Sequence, residues 1–494
     1  MSGQWVMGVD IGTSSTKGVI VDEAGRVRAS ASRARPTTRP APGRAEQDAG
    51  RDWWGGFVEV VCELTSASSE PVAALGISAM GPCVALCDAE DLPLRPAILY
   101  GVDTRAVSEI AELETRLGRS QVIEQGGVPL TSESVGPKLA WLRRNEPEVW
   151  KRAARWHTAA SFLLRRLTGR YVIDHGHAAA ATPLYVRGRN GEAGHWHREL
   201  WSELAPGLEV PALHWSSETG GHVTEAAASL TGLPPGIPVT SGAVDAVAEA
   251  WGAGVARPGD CLVMYGTTML LLQVLDGASA TPDPEGAVGV YPGLWPGTAH
   301  AAGNMTTAGA LLDWVAELTK TPVGALAEAA AKVPVGADGL VVLPYLAGMR
   351  TPVFRPELTG SIDGLTLRHG GPHIFRAAVE GIACAAKRNA DALRRLGGPA
   401  ERLVAMGGGL ANRLWVQAVS DLLRLPQEIP GEVVGAAYGS AMLAASAVGS
   451  ADDPLAWVRI AEEVRPTTRP QARSAYELLY AQHLLSEQKG HTAR

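Results

Sequence analysis

The 494-residue sequence is 46% apolar and longer than one hydrophobic core usually serves, so we expect two lobes or a duplicated architecture. Its 44 basic and 51 acidic residues leave a net charge of −7, which gives no general attraction to nucleic acid or to an anionic membrane. No apolar run approaches the roughly 20 residues of a membrane span, and Asp10 interrupts the stretch where a signal peptide would be apolar. We therefore predict a cytoplasmic protein with five scattered, reduced cysteines.

Two segments of similar pattern predict β-hairpins with polar tips. The first runs from Val6 to Asp22 and turns at Gly12 to Thr16. The second leads from Cys261 through Gly266-Thr267-Thr268 into another apolar run. This recurrence in the two halves of the chain indicates an internal duplication.

The segments between and after the hairpins predict the domain organisation. Residues 26–51 are rich in arginine and proline and are interpreted as a solvated edge and loop without a function. A proline-rich stretch at 233–238 predicts lobes of residues 1–248 and 249–494. Phe375 to Leu396 has the periodicity of an amphipathic helix, and Leu403 to Met406 predicts a strand that enters a glycine turn.

The first hairpin tip has the composition of a phosphate-binding turn, because glycine lets the backbone approach a ligand closely and hydroxyls add hydrogen bonds. Asp10, at the end of the preceding strand, could hold a magnesium ion through water. The residues predicted to face the phosphates are Gly12, Thr13, Ser14, Ser15 and Lys17. An ordinary polar turn would look alike, but a second hydroxyl-bearing turn at Gly266 and Thr267 favours a nucleotide gripped from two lobes.

A third turn, Gly407-Gly408-Gly409, would let an adenosine lie against backbone, with Asn412 at the start of the next helix. The Walker motif GxxxxGK[ST] is missing, and this turn lacks the last glycine of GxGxxG. A P-loop ATPase and a dinucleotide-binding dehydrogenase are therefore disfavoured.

Asp245 is the candidate general base, since phosphoryl transfer needs a group that takes the proton from the attacking hydroxyl. It stands among small and apolar residues, where an acid is costly unless it is paired or used. A helix N-cap is the alternative interpretation, and both can hold together.

Two HxH pairs, at His175 and His177 and at His195 and His197, would place their rings on one face of a strand and could bind zinc. Few acids and no cysteine stand beside them, so exposed or substrate-side histidines are the favoured interpretation. Arg376 and Glu380, four residues apart on a predicted helix, indicate a structural ion pair.

Segments between about residue 5 and residue 445 resemble the FGGY carbohydrate kinases. They are Gly8 to Lys17, Glu46 to Asp48, Leu94 to Tyr100, Pro137 to Leu139, Gly266-Thr267, Gly309 to Trp314, Pro344 to Pro352, Arg376 to Gly381 and Gly407 to Asn412. The resemblance implies a two-lobed α/β fold of the actin/hexokinase type, a duplicated ribonuclease H-like architecture with a central cleft. It also implies ATP- and Mg²⁺-dependent phosphorylation of a hydroxyl on a small sugar or polyol.

By this resemblance Asp245 is the catalytic base and Asp10 the magnesium-side carboxylate. The residues expected at the phosphates and the nucleotide are Gly12, Thr13, Ser14, Ser15, Lys17, Gly266, Thr267, Gly309, Asp313, Gly408, Gly409 and Asn412. The residues expected at the sugar are Met80, Gly81, Pro82, Asp103 and Asp245. Many relatives are dimers, so a homodimer is a possible assembly.

The sequence departs from its relatives where they contact the sugar. Xylulokinases carry Gln-Met-His-Gly at the place that reads Ala79-Met80-Gly81-Pro82 here, so a less polar acceptor pocket is expected. The general pattern favours a ketopentose such as D-xylulose, with another ketose, a tetrulose or a polyol as alternatives. Three other functions compete: a sugar-binding pseudokinase, an actin-like assembly protein and a metal hydrolase built on the histidines.

Overall fold

The computed structural model describes residues 5–431, 435–451 and 453–492, with side chains as far as residue 488. None of the helices in these ranges combines the length and apolarity needed to cross a bilayer. Two mixed sheets, each covered by helices, form the two lobes.

The strands divide between the two halves of the chain. Those of the first half are β1 (Trp5–Ile11), β2 (Ser15–Val21), β3 (Val27–Ala34), β4 (Glu46–Gln47), β5 (Val72–Ala79), β6 (Ala85–Cys87), β7 (Ala97–Ile98), β8 (Arg155–His157), β9 (Val172–Asp174), β10 (Tyr185–Val186), β11 (His195–Trp196), β12 (Ala212–His214), β13 (Thr219–His222), β14 (Pro238–Thr240) and β15 (Ala243–Val244). Those of the second half are β16 (Asp260–Tyr265), β17 (Met269–Asp276), β18 (Gly289–Pro292), β19 (Thr298–Met305), β20 (Val341–Leu343), β21 (Ser361–Asp363), β22 (Arg402–Met406), β23 (Gln427–Pro430) and β24 (Ile460–Val464).

The helices follow the same division. The first half contains α1 (Gly56–Ala67), α2 (Val107–Leu117), α3 (Arg119–Gly126), α4 (Val135–Asn145), α5 (Pro147–Trp150), α6 (Ala159–Thr168), α7 (His175–Ala179), α8 (Arg198–Leu204), α9 (Glu225–Thr231) and α10 (Asp245–Gly252). The second half contains α11 (Gly309–Thr319), α12 (Val323–Ala330), α13 (Gly371–Gly397), α14 (Arg413–Leu423), α15 (Gly435–Val448) and α16 (Pro470–Thr492).

The two main sheets repeat one topology, as the duplicated pattern predicts. In the first, β3, β2 and β1 run antiparallel, and β5 and β14 then continue the sheet in parallel. In the second, β19, β17 and β16 are antiparallel, and β22 and β23 follow in parallel. The two-lobed fold and both predicted hairpins are thereby confirmed, whereas the exact boundary at residue 248 stays a prediction.

Helix α15 belongs to the second half of the chain but packs on β1 and β5 of the first sheet. The approach is so close that a Cβ on Gly8 would lie 2.0 Å from the carbonyl oxygen of Ala437. A Cβ on Gly76 would lie 1.8 Å from the carbonyl oxygen of Ser440. Only glycine therefore fits at these two strand positions. The contact with α15 also buries the ends of β1 and β5, which carry the candidate site.

Other sequence predictions concern single elements. The amphipathic helix predicted from Phe375 is α13, and Arg376 and Glu380 form a buried ion pair of 2.6 Å within it, as expected. The cysteines carry no disulfide, and Cys62 alone of the five is partly exposed. The arginine-rich stretch supplies β3 at the edge of the first sheet, which fits the predicted solvated edge.

Candidate active site

Asp10 lies near the end of β1, level with Ser78 on β5 and Ala243 on β15, at a strand edge of the first sheet that we call the floor. Ser78 stands opposite it on β5 and donates a hydrogen bond of 2.8 Å to its carboxylate. Burial, followed by repulsion from Asp245, raises the pKa of Asp10 to about 7. Lys17 pairs with Asp10 across the hairpin and partly offsets this repulsion. A buried carboxylate with little neutralising charge is suited to face a cation.

Asp245 is the first residue of α10, which it enters directly from β15. The cap position belongs to Val244, so the interpretation of Asp245 as the N-cap is corrected by one residue. The Asp245 carboxylate accepts a 2.8 Å hydrogen bond from the N–H of Ala246. Burial raises the pKa of Asp245, and this N–H and the nearby His177 oppose the rise. A carboxylate with a raised pKa is a stronger base than a solvated one.

Glu249 is a third acid at this floor, and the sequence analysis missed it. It follows Asp245 by one helical turn on α10, and burial together with Asp245 raises its pKa. The four-residue spacing from the candidate base was the signal that would have found it. Asp10, Asp245 and Glu249 thus concentrate negative charge at one place.

The tip of the first hairpin is fixed by groups that the sequence analysis left without a role. Gln47 donates to the carbonyl of Thr13 over 2.7 Å, and Arg35 donates to the carbonyl of Gly12 over 3.2 Å. The hydroxyls of Thr13 and Tyr100 are hydrogen-bonded over 3.0 Å. Side chains therefore bind the carbonyl groups of Gly12 and Thr13, whose oxygens would otherwise repel a phosphate. Arg35 and Gln47 come from residues 26–51, so this stretch is not only a solvated edge and loop, because part of it supports the hairpin tip.

The second turn and two predicted nucleotide segments come together in the other lobe. The N–H of Gly309 donates to the carbonyl of Gly266 over 3.0 Å, and a Cβ on Gly309 would lie 2.7 Å from that oxygen. A Cβ on Gly407 would lie 2.3 Å from the carbonyl of Tyr265, which precedes the turn. Thr267 is exposed at the tip. The predicted glycine positions thus form one backbone-lined surface.

Three more predicted residues border this surface. Gly408 is exposed, and a Cβ there would meet no heavy atom within 4 Å. Asn412 caps α14 by accepting from the N–H of Trp415, while its buried Nδ2 has no hydrogen-bond partner. Asp313 lies exposed on α11, one turn after Gly309. An open glycine and an unpaired amide donor are features that a bound nucleotide could use.

The predicted sugar wall follows β5. The N–H of Met80 donates to the carbonyl of Ile11 over 2.8 Å, which fastens this wall to the first hairpin. Gly81 is half-buried and Pro82 is buried. The carboxylate of Asp103 is occupied within the protein, because its two oxygens accept hydrogen bonds from Arg105 and from the N–H of Ala45. Its role at the sugar stays a prediction.

The histidine pairs do not lie together on one strand as the zinc prediction required, since only His195 of the four belongs to a strand, β11. His175 and His177 are buried in α7, and His197 caps α8. Among the residues that the structure describes, no group of three metal-binding side chains is present. Of the two alternatives expected for these histidines, exposed or substrate-side, exposure is wrong for His175 and His177, and the substrate side stays a prediction. The placement of the four rings removes the geometry expected for a zinc hydrolase.

Comparisons with known proteins find relatives that match almost the whole chain. The xylulose kinase of Escherichia coli K12 is 32% identical over 448 residues, covering 89% of each chain. The gluconokinase of Bacillus subtilis 168 is 26% identical, covering 91% of this chain and 88% of the relative. The crystal structure of xylulose kinase from Rhodospirillum rubrum superposes with a TM-score of 0.89 at 32% identity, covering 99% of each chain.

Two family models account for most of the sequence. The N-terminal domain of the FGGY family of carbohydrate kinases matches residues 5–252, and the C-terminal domain of that family matches residues 261–448. The chain therefore belongs to the FGGY family of carbohydrate kinases and is a phosphotransferase that acts on a sugar hydroxyl.

Proposed function

We propose that this enzyme phosphorylates D-xylulose with Mg-ATP and that Asp245 is its general base. The observation that supports the chemistry is the pair of carboxylates on this floor, the buried Asp10 and the half-buried Asp245, close enough together for Asp245 to raise the pKa of Asp10. The choice of sugar is supported by the xylulose kinases of Escherichia coli and Rhodospirillum rubrum, each 32% identical to this chain.

In this mechanism Asp245 takes the proton of the attacking sugar hydroxyl. Its position at the start of α10 keeps the carboxylate fixed through the Ala246 N–H, so little reorganisation is needed during transfer. Met80, Gly81, Pro82 and Asp103 are assigned to the acceptor side. Closure of the lobes over the bound substrates would exclude water that could otherwise hydrolyse ATP.

The phosphates are assigned to both hairpins. Gly12, Thr13, Ser14, Ser15 and Lys17 are placed on one side of them, and Gly266 and Thr267 on the other. Gly309, Asp313, Gly408, Gly409 and Asn412 are assigned to the remainder of the nucleotide. The unpaired Nδ2 of Asn412 and the open space at Gly408 support that assignment.

Magnesium fits the donor set of the floor. Mg²⁺ prefers oxygen ligands and retains several waters, and the buried, incompletely neutralised carboxylate of Asp10 offers it an oxygen. The bound ion would neutralise charge on the transferring phosphoryl group. Asp10 is assigned to hold it, with Asp245 and Glu249 adding to the negative field.

A cytoplasmic location belongs to the same proposal. The five cysteines carry no disulfide, as is usual in a reducing compartment. A homodimer and the lobe boundary at residue 248 remain predictions.

The test is ADP release and product identification with Mg-ATP and a panel of D-xylulose, D-gluconate, a ketohexose, a tetrulose and a polyol. We expect kcat/KM for D-xylulose to exceed the other values by about 10- to 100-fold, the discrimination that the shape of a less polar pocket can supply. A preference for D-gluconate or another acceptor would overturn the xylulose assignment. Reactions without sugar measure uncoupled ATP hydrolysis as the control.

A further inference from the structure

Asp174 and His177 form a buried pair that the mechanism above does not use. The Nδ1 of His177 lies 2.5 Å from Asp174 Oδ2, and the other oxygen of Asp174 accepts from the His177 N–H over 3.1 Å. Both side chains are at most 1% exposed. These two contacts leave the imidazole ring little freedom to rotate.

The free edge of this ring points at Gly81. A Cβ on Gly81 would lie 2.4 Å from His177 Cδ2 and 2.6 Å from His177 Nε2, so the ring occupies the space of a side chain at that position. Nε2 is buried and faces the carbonyl of Ala79 without a hydrogen bond of normal geometry. The ring therefore lies between Asp174 on one side and the wall at Gly81 on the other.

The same pair supports the segment that delivers Asp245. Helix α7, which carries His177, packs on β15, the strand directly before Asp245. A Cβ on Gly242 would lie 3.7 Å from Asp174 Oδ2, and one on Gly176 would lie 3.6 Å from Val244 Cγ2. The pair thus lies beside the wall at Gly81, and the helix that carries His177 packs on the strand that leads into the candidate base.

The charges agree with the geometry. Although burial disfavours the charged ring, Asp174 raises the pKa of His177, with a further contribution from Asp245. In return, His177 opposes the rise that burial imposes on the pKa of Asp245. The imidazole of His177 and the carboxylate of Asp245 therefore attract each other electrostatically.

We propose that His177, locked by Asp174, is a positioning residue for the acceptor side of the cleft. It sets the wall at Gly81 and orients the segment that carries Asp245, and it leaves nucleotide binding unaffected. The inference rests on the base role proposed for Asp245. It predicts that a change at His177 acts on turnover of the sugar and not on affinity for ATP.

The kinetic test compares His177→Gln with His157→Gln. His157 is the matched control because it is also fully buried in the first lobe, 3.8 Å from the carboxylate of Asp91, with an unpaired Nε2. With D-xylulose, or with the panel sugar that the wild type prefers, His177→Gln should lower kcat about 10- to 100-fold. The KM for ATP should stay within about 2-fold for both variants.

Equal kinetics for the two variants, or a parallel rise in the KM for ATP, would overturn the proposal. A wild-type preference for another sugar would overturn only the xylulose assignment, since the comparison is then made with that sugar. Urea unfolding of Gly81→Ala, His177→Ala and the double variant gives a readout that needs no substrate. Gly81→Ala should lower the urea midpoint of unfolding when it is introduced into the wild type. It should lower that midpoint much less when it is introduced into His177→Ala, because the ring that the new methyl group would meet is then absent. Additive shifts of the midpoint would contradict the assigned ring position.

Discussion

The two hairpins that the duplication created differ in what surrounds them. The first turn is fixed by Tyr100, Gln47 and Arg35, and a cluster of acids lies beneath it. The second turn is packed against backbone, with Gly309 and Gly407 in close approach to its ends. The same hairpin structure thus lies beside ionisable groups in the first lobe and presents exposed main chain and hydroxyls in the second.

This difference suggests a division of labour. The charged side chains that we propose to take a proton or face a cation are concentrated in the first lobe, where burial raises their pKa values. A backbone-lined surface recognises shape and tolerates little added volume. Changes in the first lobe should therefore affect turnover, and changes in the second should affect affinity for the nucleotide.

The largest expected effect is that of Asp245→Asn in the first lobe. Without the base, kcat should fall by about 10³-fold or more while the dissociation constant for ATP changes little. Asp276→Asn, at the exposed end of β17, is the control carboxylate of the second lobe and should retain activity. Steady-state kinetics and ATP titration measure both values, and substantial turnover by Asp245→Asn would remove it from the role of base.

The counterpart in the second lobe is Gly408→Ala. Its Cβ would enter open space, so the free energy of unfolding should change by less than about 1 kcal/mol, yet the KM for ATP should rise about 10-fold as the methyl group meets the nucleotide. Gly324→Ala, in α12 and also facing open space, should gain about 0.5–1 kcal/mol without any kinetic change. An unchanged KM for ATP in Gly408→Ala would exclude this turn from the nucleotide site.

The acids of the first lobe also predict a pH dependence of stability in the absence of magnesium. Asp10 has a pKa of about 7 in the folded protein and 3.8 as its ordinary value, so the folded state binds the extra proton between these limits. Its contribution to the free energy of unfolding is therefore present at low pH and is lost as the pH rises towards 7. Urea unfolding between pH 5 and pH 8 should show a weaker decline for Asp10→Asn than for the wild type. Identical slopes would contradict the shift.

The smallest expected effect concerns the support of the first turn. Tyr100→Phe removes the hydrogen bond to Thr13, worth about 0.5–1.5 kcal/mol, so the KM for ATP should rise about 3- to 10-fold. Tyr171→Phe removes a buried hydroxyl that bonds the carbonyl of Trp156 and should affect stability without a kinetic change. Matching kinetics for the two variants would show that the turn does not need Tyr100.

Local patterns sufficed to predict the hairpins, α13 and the glycine turns, because each depends on periodicity or on a turn within a few residues. The supports of the site were missed since they come from elsewhere in the chain. Arg35 and Gln47 reach the first turn from a stretch interpreted as an edge and loop, and His177 reaches Gly81 across 95 intervening sequence positions by packing alone. Such contacts carry no periodic signal.

The expected loss of polarity at Gly81 shows the same limit. The residue itself has no side chain, as the sequence says, but an imidazole from α7 occupies the space beside it. The sequence could not reveal that a side chain from α7 fills the space beside Gly81, because this depends on how α7 packs against the segment that follows β5.

The packing of α15 has a consequence for the order of folding. Residues 435–448 cover β1 and β5, so a nascent chain that has emerged only to residue 430 lacks the helix that completes its first sheet. The first lobe therefore has to wait for nearly the whole chain to leave the ribosome, with apolar strand faces uncovered in the meantime. A fragment that ends at residue 248 should be prone to aggregation, whereas adding the segment that carries α15 in trans should improve its solubility.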